Sequence, residues 1–341
     1  MVKKKEIYLV SEFTNFIKLC ETGKRKKKNG YKLAPGTIVQ YKCVQSKLIE
    51  FEACSETKIR LRTGIGNNKK LLKQEGSYLK RFEIKYTKFL RQSGSSNNYI
   101  GLHMKVLKTL LKYLAHDKGL SISPAYKNFT IYKEEKPILV LSPERVSFLI
   151  NNREFHESLP AYLKRTKDIL IVGCTVALRY SDLMNLKQKN LSRYNNATYL
   201  QIISQKTGSI TKIRLPEYVV EIFKKGSNKK GLLPLISNHR LNSNLKELCA
   251  LAGWTEPIDL QIIGKTNTRQ PMYFGRFCDN VTSHIMRRTA ITTMLSLGMS
   301  ETAVRKISGH SANSISFHRY IQFSQAYLDS EIEGVFNKLQ G

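Results

Sequence analysis

Ile100, Met104, Leu107, Leu111 and Leu114 recur at three- and four-residue intervals, with lysines between them. That spacing gathers the apolar side chains on one face of a helix and leaves a charged face opposite. The same period runs through IYLVSEFTNFIKLC (7–20), TIVQYKCVQSKLIEFEA (37–53) and YLKRFEIKYTKFLRQ (78–92). Helices patterned this way hide their apolar stripes by packing on one another. The first 125 or so residues therefore predict a small bundle of four or five basic amphipathic helices. Thr37, after Gly36, reads as the N-cap of the second helix. The charged stretch 21–36 and the Gly-, Asn- and Lys-containing stretch 62–77 read as loops.

One segment breaks the helical period. ATYLQIISQKTGSITKIRL (197–215) alternates apolar and polar residues around a Lys-Thr-Gly turn, the mark of a hairpin or three-stranded sheet. Beyond it the pattern is mostly helical to the end. Three prolines and an extended apolar run between 123 and 146 mark a connector, after which Ser142-Pro143-Glu144 caps and opens a helix. The expected organisation is a helical domain at 1–132, a linker at 133–141, a second mainly helical domain with a small antiparallel sheet at 142–325, and a tail helix at 326–341. In that tail Leu328, Ile332, Val335, Phe336 and Leu339 form one apolar stripe that must dock somewhere. Its own domain and a neighbouring copy both remain open as the docking surface.

The 341 residues carry a formal charge of +31. Residues 1–132 hold 28 Lys and Arg against 9 Asp and Glu, leaving 29 against 17 in the remainder, so both domains are basic. Such self-repulsion is relieved by a polyanion, which makes nucleic acid the expected partner. KRKKK (24–28) reads as a phosphate-contacting or solvated loop. The six cysteines, at 20, 43, 54, 174, 249 and 278, show neither CxxC nor zinc-finger spacing and read as thiols of a reducing compartment. MVKKKEIYLVSEF has no apolar core of a secretory leader, and no run approaches the roughly 20 apolar residues that span a bilayer. The expectation is a cytoplasmic, DNA-associated protein without a membrane segment.

Chemistry concentrates in the second half. Arg179, in ALRYSDL, has a planar fork of donors suited to two phosphate oxygens, or to a structural pairing with Asp182. Lys206, in the QKTG turn, could protonate a leaving oxygen or stand as a solvated turn lysine, and Lys212 competes for the role. His284 and Arg287 are three apart and share a helix face, whereas Arg288 points elsewhere, toward a backbone contact or salt bridge. Ser300 caps the following helix, which closes at Ser308-Gly309-His310. Tyr320 follows ten residues later, with His318 close by. No HExxH, acidic triad or Walker A loop accompanies them, since Gly264-Lys265-Thr266 lacks the upstream glycine. No cofactor is therefore expected.

The order Arg, Lys, His-x-x-Arg, Gly-His, Tyr resembles that of the tyrosine recombinases, or phage integrase family. ALRYSDL, QKTG, HIMRRTAITTML, ISGH and HRYIQF are most similar to the boxes of integrases from bacterial mobile elements. The resemblance spans about 142–325, and the N-terminal bundle resembles the family's core-binding domain. The chain departs from the family in two places. The segment between His310 and Tyr320 is one residue longer than is common, and Ser308 stands where Leu or Thr usually precedes Gly-His. The resemblance implies that Tyr320 attacks a DNA phosphate to give a 3′-phosphotyrosyl intermediate and a free 5′-hydroxyl. Arg179 and Arg287 would clamp the non-bridging oxygens and His310 would hydrogen-bond one of them. Lys206 would protonate the leaving oxygen, and His284 would assist the tyrosine's proton. It also implies specific double-stranded sites, a tetrameric synapse with the tail helix seated on a neighbour, and accessory DNA-bending proteins. Three other readings stay open: a type IB topoisomerase-like enzyme, a catalytically silent DNA-binding protein on the same fold, and a basic RNA-binding protein.

Overall fold

The computed structural model describes residues 6–27, 29–134, 138–203, 210–226, 231–261 and 271–324, with 329, 332, 333 and 336 beyond them. The chain forms two compact units, Met1–Glu135 and Lys136–Gly341. Among the described residues no helix is long and apolar enough to cross a membrane.

The first unit is helical. Strand β1 (Glu6–Tyr8) leads into α1 (Leu9–Glu21), followed by α2 (Pro35–Ser55), β2 (Arg60–Arg62), α3 (Lys69–Gln92) and α4 (Asn97–Lys112). The apolar stripes meet in a core rich in aromatic rings, where Phe51 packs edge-on against Phe82, Tyr86 and Phe89, at 6.1, 5.2 and 5.5 Å between centroids.

Three local expectations are corrected. Thr37 is not a cap: α2 begins at Pro35, whose fixed φ and missing N–H suit the first helical position. The stretch 62–77 is not all loop, because the Asn68 side chain accepts from Leu71 N at 3.1 Å and starts α3 there. Ile7 and Tyr8 belong to a strand, with β1 antiparallel to β2 and Ile7 opposite Leu61. That pairing joins residues far apart in sequence, so local periodicity gives no sign of it.

Several polar groups buried in this unit are paired. Glu75 takes two contacts from Arg60 Nη1 at 3.1 and 3.2 Å. Glu83 accepts from Thr130 N at 2.5 Å and Lys80 Nζ at 2.9 Å. The Tyr86 hydroxyl lies 2.7 Å from His103 Nδ1, and burial pushes that histidine down to about 4. The segment after α4 is strapped to the unit by Asn98, which donates to Glu134 O at 2.9 Å and accepts from Glu134 N at 3.0 Å.

The second unit opens with α5 (Pro143–Asn151), capped by Ser142 as expected. Next come α6 (Arg153–Ser158), α7 (Ala161–Val176) and α8 (Tyr180–Met184). Strands β3 (Leu191–Tyr194), β4 (Ala197–Ile203) and β5 (Ile210–Arg214) form an antiparallel sheet in that order, so 197–215 supplies a pair of antiparallel strands and the third strand comes from just before it. Helices α9 (Glu217–Gly226) and α10 (Asn238–Leu251) follow. A second hairpin, β6 (Pro257–Gln261) with β7 (Pro271–Arg276), falls where the sequence reads as mostly helical. The chain then runs through α11 (Phe277–Asn280), α12 (His284–Ser296), α13 (Glu301–Ser308, capped by Ser300) and α14 (Ile315–Phe323).

α7 and α12 cross in the middle of this unit. At the crossing Gly173 lies so close to Met286 that a Cβ would sit 2.5 Å from its Sδ and 2.8 Å from its Cβ. Leu141 N donates to the buried Thr289 hydroxyl at 2.9 Å, and Ile138 joins the apolar cluster under α14. Of the expected tail stripe, Ile332 and Phe336 are described and exposed, while Leu328, Val335 and Leu339 lie outside the described residues.

Candidate active site

Two left-handed turns shape the site. α7 ends at Ala177, with φ +55°, which turns the chain so that Arg179 becomes the N-cap of α8. α13 ends at Gly309, with φ +63°, which turns the chain into His310. Glycine adopts that conformation freely; alanine does so only under strain of about 1 kcal/mol or more. The strained turn puts the Ala177 carbonyl within reach of Arg287.

Arg287 is the best anchored of these residues, at 4% exposure. Nη1 donates to Ala177 O at 2.8 Å and Nη2 donates to Ser308 O at 2.6 Å. One guanidinium thereby ties the end of α7 to the end of α13. Nη2 also lies 3.3 Å from His310 Nε2 and 3.4 Å from Nδ1. Burial, followed by the repulsion of Arg179, pulls Arg287 down to about 10; Tyr320 and Asp182 act in the opposite sense.

His310 is half-buried. Its ring stands edge-on to Phe317 at 5.3 Å and to Tyr320 at 5.9 Å between centroids. Arg305 braces the loop, donating to Ser311 O at 3.0 Å, lying over the Phe317 ring at 4.0 Å and pairing with Glu301. Burial, then the positive charges of Arg287, Arg179 and Arg305, and then His284, push His310 down to about 3. These mutual effects place Arg179, His284, Arg287, His310 and Tyr320 in one electrostatic neighbourhood. His284 is exposed at the first position of α12.

Tyr320 lies on α14 at 5% exposure, packed with Phe317, Ala177, Ile291 and Val304. Arg288 lies close enough to Tyr320 for the two to attract each other. α14 packs across α12, which brings consecutive arginines near different parts of the candidate site. Burial pulls Arg288 below its ordinary range, against the attraction of Tyr320. A second contact between these segments, Ser296 Oγ to Ser324 Oγ at 2.9 Å, holds α14 in place.

Lys206 lies outside the described residues, as does its turn. Lys212 is exposed on β5, with its ammonium 4.9 Å from the Tyr199 ring centroid. Sequence reasoning missed Arg288, Ser308 and the Ala177 carbonyl. Ser308 was visible only as a departure from the expected box. Among the described residues, no three His, Cys, Asp or Glu side chains gather as metal ligands.

This arrangement offers fixed cationic donors, a neutral histidine and a shielded phenol close together. Such a set can hold a phosphodiester and present a nucleophile to it.

No family model matches the chain, and neither does any curated protein. Solved structures do. The XerH site-specific recombinase bound to palindromic difH substrate is 14% identical over 94% of this chain and 84% of its own, with a TM-score of 0.60. The Tn1549 transposon integrase in complex with a circular intermediate DNA is 15% identical, covering 92% of this chain and 95% of its own, with a TM-score of 0.59. A lambda integrase dimer bound to a COC′ core site is 12% identical, covering 93% and 77%, with a TM-score of 0.61. At these identities the likeness is one of architecture, and the chain has the tyrosine recombinase fold.

Proposed function

We propose that this chain is a site-specific DNA recombinase of a mobile element, which cuts and rejoins DNA through a phosphotyrosyl bond without metal or nucleotide. The observation that carries this reading is the gathering of Arg179, Arg287 and His284 around His310, whose ring stands edge-on to Tyr320. The solved structures of the same fold hold DNA, which supports duplex DNA as the substrate.

In the proposed step the Tyr320 oxygen bonds to phosphorus as the bond from phosphorus to the 5′-oxygen breaks. The phenol loses its proton, with His284 assisting, and the departing 5′-oxygen gains one, for which Lys206 is the assigned donor. Arg179 and Arg287 hold the non-bridging oxygens as charge builds on them. The phosphotyrosyl product keeps the energy of the phosphodiester, so a 5′-hydroxyl from another strand reverses the step and reseals the DNA. Residues 1–132 supply the second half of a basic clamp on the duplex. The tail from 326 seats on a neighbouring protomer in a tetrameric synapse, with DNA-bending proteins as accessory partners.

The test is covalent trapping on DNA carrying the flanks of the chain's own gene, in EDTA, resolved on a denaturing gel. Wild type forms a protein–DNA adduct and Tyr320→Phe does not. An adduct that persists in Tyr320→Phe would assign the nucleophile elsewhere, and binding without an adduct in either protein would leave a silent DNA-binding protein.

A further inference from the structure

Ser308 is where the chain departs from the family's usual box, and it touches the site histidine. It is 3% exposed. Its Oγ lies 2.7 Å from the Val304 carbonyl oxygen and 2.7 Å from His310 Nδ1. A hydroxyl has one proton to give and lone pairs to accept with. The carbonyl brings no proton to its contact, so the hydroxyl proton lies there; otherwise two sets of oxygen lone pairs would face each other at 2.7 Å. Oγ therefore accepts from the ring, and the proton of that bond sits on Nδ1. A neutral imidazole protonated at Nδ1 carries its lone pair on Nε2. Arg287 Nη2, which can only donate, stands 3.3 Å from Nε2 and 3.4 Å from Nδ1, and with Nδ1 protonated only Nε2 can accept from it.

We propose that Ser308 is a positioning residue that fixes His310 as its Nδ1–H tautomer, so that the ring accepts from Arg287 at rest and donates from Nε2 to a phosphate oxygen only after taking up a proton. The second half of this proposal rests on the recombinase reading. The charged and titratable groups acting on the ring are Arg287 and His284 from α12, Arg179 at the head of α8, and Arg305 from α13, with Tyr320 facing it from α14. Burial, and after it the three guanidinium groups, keep the resting ring neutral. An arriving phosphodiester brings negative charge among them, offsets their repulsion and supplies an acceptor for a new Nε2–H. DNA engagement then takes one proton from solvent and release returns it.

The tautomer is read by 15N NMR of the full-length protein labelled at histidine, with His310 assigned through a His310→Gln variant. At neutral pH the free wild type is expected to show a protonated Nδ1 and a bare Nε2. Ser308→Thr, which keeps the hydroxyl, retains that pattern, and Ser308→Ala shifts His310 toward the Nε2–H form. A wild type already protonated at Nε2, or a Ser308→Ala spectrum unchanged at His310, overturns the assignment. Adding a duplex with the flanks of the chain's own gene to Tyr320→Phe protein is expected to protonate Nε2 while Nδ1 stays protonated. A free-protein tautomer as expected with Nε2 still bare in the complex overturns the proton uptake alone. Failure of the recombinase reading shows separately, as absence of the covalent adduct in wild type.

Discussion

Arg287 and Arg288 are neighbours in sequence and part company in space. The first ties the end of α7 to the end of α13, and the second is drawn electrostatically toward Tyr320. Donation from a guanidinium to a phenol oxygen stabilises the charge that grows there as the proton leaves. Arg288→Met is therefore expected to slow adduct formation at saturating DNA by about 10- to 100-fold, with DNA affinity nearly unchanged, and Arg288→Lys should recover part of the rate. Single-turnover trapping over a range of DNA concentrations separates the two quantities. A loss confined to affinity would make Arg288 a DNA contact. Arg179, His284, Arg287, His310 and Tyr320 were legible in the sequence because each belongs to a short box of fixed spacing. Arg288 was not, because helical spacing tells which residues share a face of α12 and says nothing about the helix laid across it. The Ala177 carbonyl was also hidden, since a backbone oxygen leaves no mark on side-chain chemistry.

At the scale of elements, the site depends on how closely α7 and α12 approach. Gly173 permits that approach, and a methyl group there would press on the Cβ of Met286, next to Arg287. Gly173→Ala is expected to destabilise the second unit by about 1–3 kcal/mol and to reduce adduct formation as α12 is pushed away. Thermal unfolding together with the trapping assay checks both; an unchanged midpoint and rate would mean that Met286 yields freely. The elements themselves were unevenly legible. The long amphipathic helices and the alternation at 197–215 announce their own period. β1 and β2 are three residues each and exist as strands only through each other, so no local pattern could reveal them. β6 and β7 are short, each begins with proline, and their pairing surfaced only in the structure. α3 starts nine residues ahead of the periodic stretch beginning at Tyr78, because the Asn68 cap decides the start where hydrophobic spacing does not.

For the whole molecule, acidity and salt are the conditions that matter most. His103 and His310 are held below the ordinary histidine value of 6.5, at about 4 and about 3. The unfolded chain therefore binds protons at these positions before the folded one does. Stability is full above about pH 6.5 and falls as the pH drops from there toward 4 and 3. Thermal midpoints at pH 7.5 and 5.0 are expected to differ in that direction, and His103→Gln should flatten the dependence of the first unit. A midpoint that rises on acidification would contradict these burials.

The exposed Ile332 and Phe336 bear on assembly. Truncation after Ser324 is expected to leave single-protomer DNA binding intact while abolishing cooperative binding, as read by mobility shift over a protein titration. Unchanged cooperativity would remove the tail from the assembly. The two-domain plan and the basic character of both parts could be read directly, because charge and composition are whole-chain properties. Lys206 stays an assignment from its QKTG box alone.

The burial of Tyr320 has a consequence for a cell that carries this protein. On the proposed reading, a chain of net charge +31 would rest on DNA of every sequence nearly all the time. An always-open phenol would then leave nicks wherever the protein paused. With only 5% of Tyr320 exposed, the proposed nucleophile would stay shielded in random encounters, and cleavage would wait for an event that uncovers it. Genome safety in this protein would then come from a tightly packed side chain, and recognition of sequence would decide only where that packing is released.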